Sequence, residues 1–390
     1  MRKSLLIAFG CCALLGAGLL ISQPAEAQTR TSIATDYPSL YRGTRPLGMG
    51  NAFLALKGTD ENAAFYNPAA INDYTGFHMA LLSPGFDFSL NAVTLVTDAF
   101  DTFKDMNKLT TTTAKFDKFN QYVKKHTGDF TSLDIKMPAL AAYSKWFFAG
   151  LILDSRTTFA FRSPSDTKFE VRSRNDGGLY LGSAYPFLDD QLQVGLGMKI
   201  LYRMLVDEVL TSTDAIASSS FTDAIDTKKR GMGVGFDLGL KGKIPTGESP
   251  ALQYLKPTAA LVWQDIADTR FANNAGRNTQ SISTGVAIHP DLAQWGVGAI
   301  ESSLALDFRE LNQQVAFTKK INVGYEVRLP RIFLTKLSAR VGGNKGYFTT
   351  GATVDFRFLK ADFAFFQEEV GSANRQKGDS RIAASLMMGF

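Results

Sequence analysis

Apolar and polar residues alternate one by one along much of this chain. Leu192, Val194, Leu196, Met198, Ile200 and Tyr202 alternate with Gln193, Gly195, Gly197, Lys199, Leu201 and Arg203. Met232, Val234, Phe236, Leu238 and Leu240 alternate with Gly233, Gly235, Asp237, Gly239 and Lys241. Ile321, Val323, Tyr325 and Val327 do the same, and so do Val354, Phe356 and Phe358 around Asp355 and Arg357. A period of two is that of a β-strand with two unlike faces. Ser, Thr, Gly and Asn bound many of these runs, as turns require. Beyond the N-terminus no window holds 18 apolar residues, so no transmembrane helix is expected.

Alternation does not say which face points outward. A soluble sandwich or barrel would hide the apolar face, and a soluble periplasmic β protein is the rival reading. Two features favour a membrane barrel. The polar faces are rich in glycine, which weakens a solvated strand but leaves room inside a crowded lumen. The chain also ends in an amphipathic strand. Ile382, Ala384, Leu386, Met388 and the terminal Phe390 share one face, with Arg381 opposite. The resulting expectation is an all-β transmembrane antiparallel barrel over 77–390, closed by an N-terminal plug. The 314 residues from Phe77 onward hold about 14 strands at ~10 residues per strand plus connections. One connection is longer. Over 98–125, Phe100, Phe103 and Met106, then Phe116, Phe119, Tyr122 and Val123, recur at helical spacing among Lys and Asp. One or two short amphipathic helices are expected there.

The N-terminus reads as a secretion signal over 1–27. Arg2 and Lys3 precede an apolar run from Leu5 to Ile21, and Ala25-Glu26-Ala27 before Gln28 has the form of a cleavage site. A retained anchor and a lipid on Cys11 are the competing readings. Both cysteines, Cys11 and Cys12, lie in this segment, so cleavage would leave no cysteine.

Tyr41–Tyr74 is different again. It has glycine turns at Gly43, Gly48, Gly50 and Gly58, the pair Asn67-Pro68, and small residues such as Ala63, Ala64, Ala69 and Ala70. It is too irregular to span a membrane as a strand, and unpaired backbone cannot face lipid. It could persist at membrane depth inside the barrel, which makes 28–76 a plug, or hatch. The run Gly48-Met49-Gly50-Asn51-Ala52-Phe53, the Thr59-Asp60-Glu61 turn and Ala64-Phe65-Tyr66-Asn67-Pro68-Ala69 resemble the hatch of FadL-type outer-membrane transporters of hydrophobic compounds. The pattern also occurs in the related PorV-like and TraF-like barrel proteins. Gly346–Gly351 and Asp362-Phe363-Ala364-Phe365 resemble closing strands of the PorV-like branch.

The resemblance implies a bacterial outer-membrane location, a hydrophobic small-molecule ligand such as a long-chain fatty acid or hydrocarbon, and outer-membrane lipid around the barrel. It also implies recognition of the last strand by the barrel-assembly machinery. The alternative is a PorV-like scaffold or shuttle for a secreted protein. Gly48, Met49, Gly50, Asn51, Phe53, Asn67, Pro68 and Ala69 are the hatch residues that either meet ligand or shape the plug. For Asn67 the plainer role is to cap its own turn.

Charge supplies a second candidate site. The inward positions carry the cations Arg156, Arg162, Lys199, Arg203, Lys241, Arg309, Arg328, Arg340, Arg357 and Arg381. They also carry the anions Asp154, Asp237, Asp307, Glu326, Asp355 and Asp362. Most should pair across strands. An unpaired Arg fits a carboxylate, and Arg309 and Arg328 are the candidates.

The net charge of +5 forms no basic block, so nucleic acid is not an expected partner. Three His and two Cys provide little for a metal site, and no cofactor is expected. His78, His126 and His289 are far apart, and neither G-x-S-x-G nor H-E-x-x-H occurs, so no enzyme is expected.

Overall fold

The computed structural model describes residues 41–161, 168–211, 229–370 and 377–389. The expected signal segment 1–27, residues 28–40 of the expected hatch, Arg162 and Phe390 lie outside the described residues. The barrel wall begins with β1 (Phe77–Leu82) and β2 (Gly85–Ser89), two halves of one strand broken at Ser83-Pro84. It continues through β3 (Phe130–Ser144), β4 (Phe147–Phe161), β5 (Lys168–Phe187), β6 (Leu192–Thr211), β7 (Arg230–Lys243) and β8 (Thr258–Gln264). The short strands β9 (Thr269–Arg270) and β10 (Arg277–Asn278) form a separate ribbon before β11 (Ser281–Ile288) resumes the wall. The arm β12 (Asp291–Trp295) pairs only with β13 (Gly298–Phe308). The wall is completed by β14 (Ile321–Arg328), β15 (Lys336–Asn344), β16 (Tyr347–Asp355), β17 (Leu359–Glu369) and β18 (Gly378–Gly389).

Every neighbouring wall pair is antiparallel. β18 closes the circle on both halves of the first strand, with Ala80 opposite Gly389 and Ser89 opposite Arg381. Counting β1 and β2 as one strand gives the 14 expected. Beside the break, β3 shifts register at Pro138, whose ring removes a ladder donor.

The faces fall as the alternation predicts. Met232, Val234 and Phe236 are exposed outside, while Gly231, Gly233 and Gly235 on the same strand are buried or point inward. On β18, Ile382, Leu386 and Met388 face out and Arg381 is fully buried inside. An apolar outside around a polar inside is the inverse of a soluble barrel, so this wall faces lipid, as in outer-membrane barrels. The chain entry to the wall and its C-terminal end lie at the end with shorter turns, which such barrels direct to the periplasm.

One alternation misleads. β16 ends at Asp355, and Phe356–Phe358 form a turn with Arg357 exposed at φ 79°. Arg357 is therefore not a lumen cation; the period of two ran past the strand end into a turn. The long insertion starts earlier than expected, at residue 92 rather than 98, because Leu95 and Ala99 belong to its packed face. Its two helices are Ala92–Met106 and Thr112–Lys125.

Candidate functional site

The hatch lies inside the barrel. From Tyr41 to Asn72 only Lys57 and Thr59 are exposed. Its backbone folds into α1 (Thr44–Gly48), α2 (Asn62–Tyr66) and a 3-10 turn over Pro68–Asp73. These short turns satisfy backbone groups that could not pair with the wall.

Small residues permit the fit. Gly50 and Asn51 both have positive φ, 63° and 62°, which Gly adopts freely and Asn tolerates. A Cβ on Gly50 would also overlap the backbone oxygen of Val323. A Cβ on Gly48 would stand 3.1 Å from the Cα of Gly351. Met49 lies against Gly324 and Gly342. Across the lumen, Gly195 and Gly239 make room for Asn67, Pro68 and Ala69. Glycines of the hatch thus meet glycines of the wall.

Hydrogen bonds fix the turns. Asn67 Oδ1 accepts from the Ala69 N–H at 3.0 Å, the capping role, while its Nδ2 donates to Leu54 O at 3.0 Å. The N–H groups of Phe53 and Leu54 donate to Asp307 at 2.6 and 3.0 Å. Tyr66 donates to Asn51, and burial pushes its phenol up to about 12, so it stays a donor at neutral pH. Arg309 lies 5.2 Å above the Tyr66 ring and donates to Asn51 O at 3.2 Å. It is buried as a brace of the hatch.

Ion pairs add a second set of anchors. Arg45 Nε and Nη2 donate to Glu326 at 3.0 and 2.6 Å, and its Nη1 donates to Asp60 at 2.8 Å. Burial pushes the Asp60 carboxyl up, but Arg45 and Lys360 outweigh it and hold it below the usual carboxylate range. Arg42 pairs with Glu368, and Asp73 with Lys241. Arg42 and Arg45 are hatch anchors that the sequence reasoning missed. Their signal is two cations in the stretch 41–56, which is otherwise uncharged.

The lumen charges pair as expected. Lys199 meets Asp237 and Asp265, both at 2.8 Å; Arg203 meets Asp176 at 2.6 Å; Arg156 meets Asp134 at 2.7 Å. Arg340 meets Glu326 at 2.8 Å, and Arg381 meets Asp379 at 2.6 Å.

Arg328 shares a cavity with the hatch residues Arg45, Lys57 and Asp60 rather than with Gly48–Phe53 or Asn67–Ala69. It lines this cavity, of about 210 Å³ toward the short-turn end, with Lys57, Asp60, Glu301, Glu326 and Lys336. Its Nε is 3.5 Å from Glu301 and 3.6 Å from Glu326, looser than the lumen pairs. This cavity is polar and carries both signs.

A second inward segment was not foreseen. Residues 265–280 turn into the lumen from the long-loop end. Ala272 donates from its N–H to Met232 O at 3.0 Å, and Arg203 lies 3.9 Å over the Phe271 ring and bonds Asn278 at 2.7 Å. Gly231, Gly233 and Gly235 form the glycine column that admits it.

The three histidines stand apart. His78 contacts Thr75 O; His126 meets Asp98 and Asp129; His289 sits between Thr258 and Ser303. None faces a placed nucleophile with a third orienting group.

No protein-family model matches the chain, and no curated protein matches it. Among solved structures it is similar to the toluene transporter TodX of Pseudomonas putida, at 12% identity and a TM-score of 0.46, over 89% of this chain and 97% of that one. It is also similar to a FadL homologue of Pseudomonas aeruginosa, at 10% identity and a TM-score of 0.43, over 89% and 98% of the two chains.

Proposed function

We propose that this protein takes up hydrophobic small molecules across the outer membrane and that the closed state is the one described here. One observation carries the reading: the segment with the FadL-like pattern lies within the lumen and is bound there by side chains, not as a strand of the wall. Such a plug can leave without unzipping the barrel. The filled lumen sets a condition, because passage requires the hatch to move. Long-chain fatty acids and hydrocarbons are the ligand classes that the resemblance implies. Arg328, beside the polar cavity, is the side chain placed to meet a ligand carboxylate.

A second reading has its own support. Buried pairs such as Arg45 with Glu326 hold the hatch firmly, and a fixed plug suits a PorV-like scaffold for a secreted protein.

Native mass spectrometry of gently extracted protein separates the two. Transport predicts a bound lipid or hydrocarbon, together with faster uptake of a hydrophobic fluorescent probe by cells that make the protein. A stoichiometric protein partner, with unchanged probe uptake, would favour the scaffold.

A further inference from the structure

The helical insertion is more than a loop over the rim. Its helices are α3 (Ala92–Met106) and α4 (Thr112–Lys125). Leu95 and Met106 of α3 pack with Phe119, Tyr122 and Val123 of α4. The same cluster includes Phe161 and Val171, with Phe159 beside it. Phe159 pairs with Val171 and stands at the same parity as exposed Leu151 and Leu153, so these side chains lie on the outer face of the wall. The hairpin therefore rests against the outside of the barrel.

Packing uses only half of the apolar arc of α3. Val93, Phe100 and Phe103 fall within about 80° of one another on the helix, adjoining the packed side. All three are exposed, Phe100 by 73%. Asp98, Asp101 and Asp105 lie on the opposite side. Lys104 flanks the stripe and is exposed. Below the hairpin, the outer faces of β2 and β3 present Phe86, Leu133 and Ile135 to lipid, and exposed Leu90 leads from β2 directly into α3. On β4 the outer positions run from Leu151 and Leu153 through Ser155 and Thr157, the register partners of Ile135 and Leu133, up to Phe159 beneath the hairpin.

We propose that this hairpin is an interfacial anchor, with Val93, Phe100 and Phe103 set into the acyl boundary of the outer leaflet. Three arguments favour lipid as the occupant. The stripe continues the lipid-facing surface of the wall through Leu90. The acids point away from it. Lys104 stands where a lysine can bury its stem and reach anionic headgroups. Such an anchor would hold the long-loop end of the barrel at a fixed depth, whatever the cargo.

Spin labelling tests this cleanly, because no cysteine occurs after Cys12. Single variants Phe100→Cys, Phe103→Cys and Asp101→Cys, labelled with a nitroxide, are placed in vesicles of phosphatidylethanolamine and phosphatidylglycerol. At 100 and 103 the anchor predicts high collision with oxygen and at least a several-fold lower collision with a water-soluble nickel chelate than at 101. Heat-modifiable gel mobility checks that each barrel is folded. Equal nickel access at 100, 103 and 101 would overturn the proposal. So would labels that stay water-exposed in these vesicles yet become immobilised in native outer-membrane fragments, which would indicate a protein partner. A paired variant, Phe100→Ser with Phe103→Ser, should raise amide exchange of α3 in vesicles without altering it in detergent-free aqueous polymer. Equal exchange in both would also count against the anchor.

Discussion

The hatch and the inward segment 265–280 both fill the lumen, but they are secured differently. The hatch is long and continuous, and its anchors are spread around the wall. Arg45 reaches β14, Asp73 reaches β7, and Phe53 reaches Asp307 on β13. The segment 265–280 is tied chiefly to one sector, to β6 and β7, through Arg203, Asp237 and the Met232 carbonyl, with its exit at Gln280 held by Asn312 and Gln313. A plug with scattered anchors must release several at once, whereas one with local anchors can swing on its own strand ends. The two ends of the lumen should thus differ in how readily they open.

The largest test of that difference is Arg45→Ala. Removing one member of a buried ion pair strands its partners and costs about 3–5 kcal/mol. Amide exchange of 41–74 should rise sharply while 265–280 and the wall keep their protection. Mass-resolved hydrogen exchange would show it; equal loosening of both segments would break the comparison.

Glycine replacements come next. Gly195→Val forces a side chain into the Pro68–Ala69 backbone, and Gly233→Val forces one into Arg270 and Phe271. Overpacking of this kind costs about 1–3 kcal/mol. The first should raise protease cleavage within the hatch alone, and the second within 265–280 alone. Asn67→Ala is expected to be milder, about 1 kcal/mol, from loss of the cap to Ala69. Thermal exposure of a cysteine introduced at Ala69 would follow it.

The smallest effect is on pH. Burial, and then Lys241 and Arg328, hold the His289 imidazole down to about 4. His289 meets Thr258, whose hydroxyl donates to Ala55 O of the hatch at 2.8 Å. The unfolded residue binds its proton more readily, near 6.5. Its contribution is therefore complete above about pH 6.5 and fades as pH falls toward 4. Exchange near Ala55 should rise over that window, and His289→Asn should flatten the rise.

Much of this was legible in the sequence. Alternation gave the wall, and the glycine-rich polar faces with the amphipathic last strand gave its outward face, as β7 and β18 show. The Gly48–Phe53 and Asn67–Ala69 runs marked the hatch, because only close backbone approach demands such small residues in an irregular segment. Residues 265–280 were not legible. Their Asp, Asn and Gly content is that of an ordinary surface loop, and their inward course depends on glycines of β7 that are remote in sequence. Arg357 failed for another reason: alternation carries no mark of where a strand stops. The anchoring of Arg45 by Glu326 was hidden for want of any local spacing, since 281 residues separate them.

If the barrel transports as proposed, the hatch must move for cargo to pass. Asp73 and Gln193 provide the most direct test, for their side chains meet at 3.0 Å across the hatch–wall boundary. The variant Asp73→Cys with Gln193→Cys is joined by a short reducible bis-methanethiosulfonate linker, and uptake of a hydrophobic fluorescent probe is followed before and after reduction. Uptake should fall at least tenfold on complete cross-linking and return on reduction, while in each single variant reaction with the linker brings no further change. Unchanged uptake by the fully cross-linked protein would contradict it.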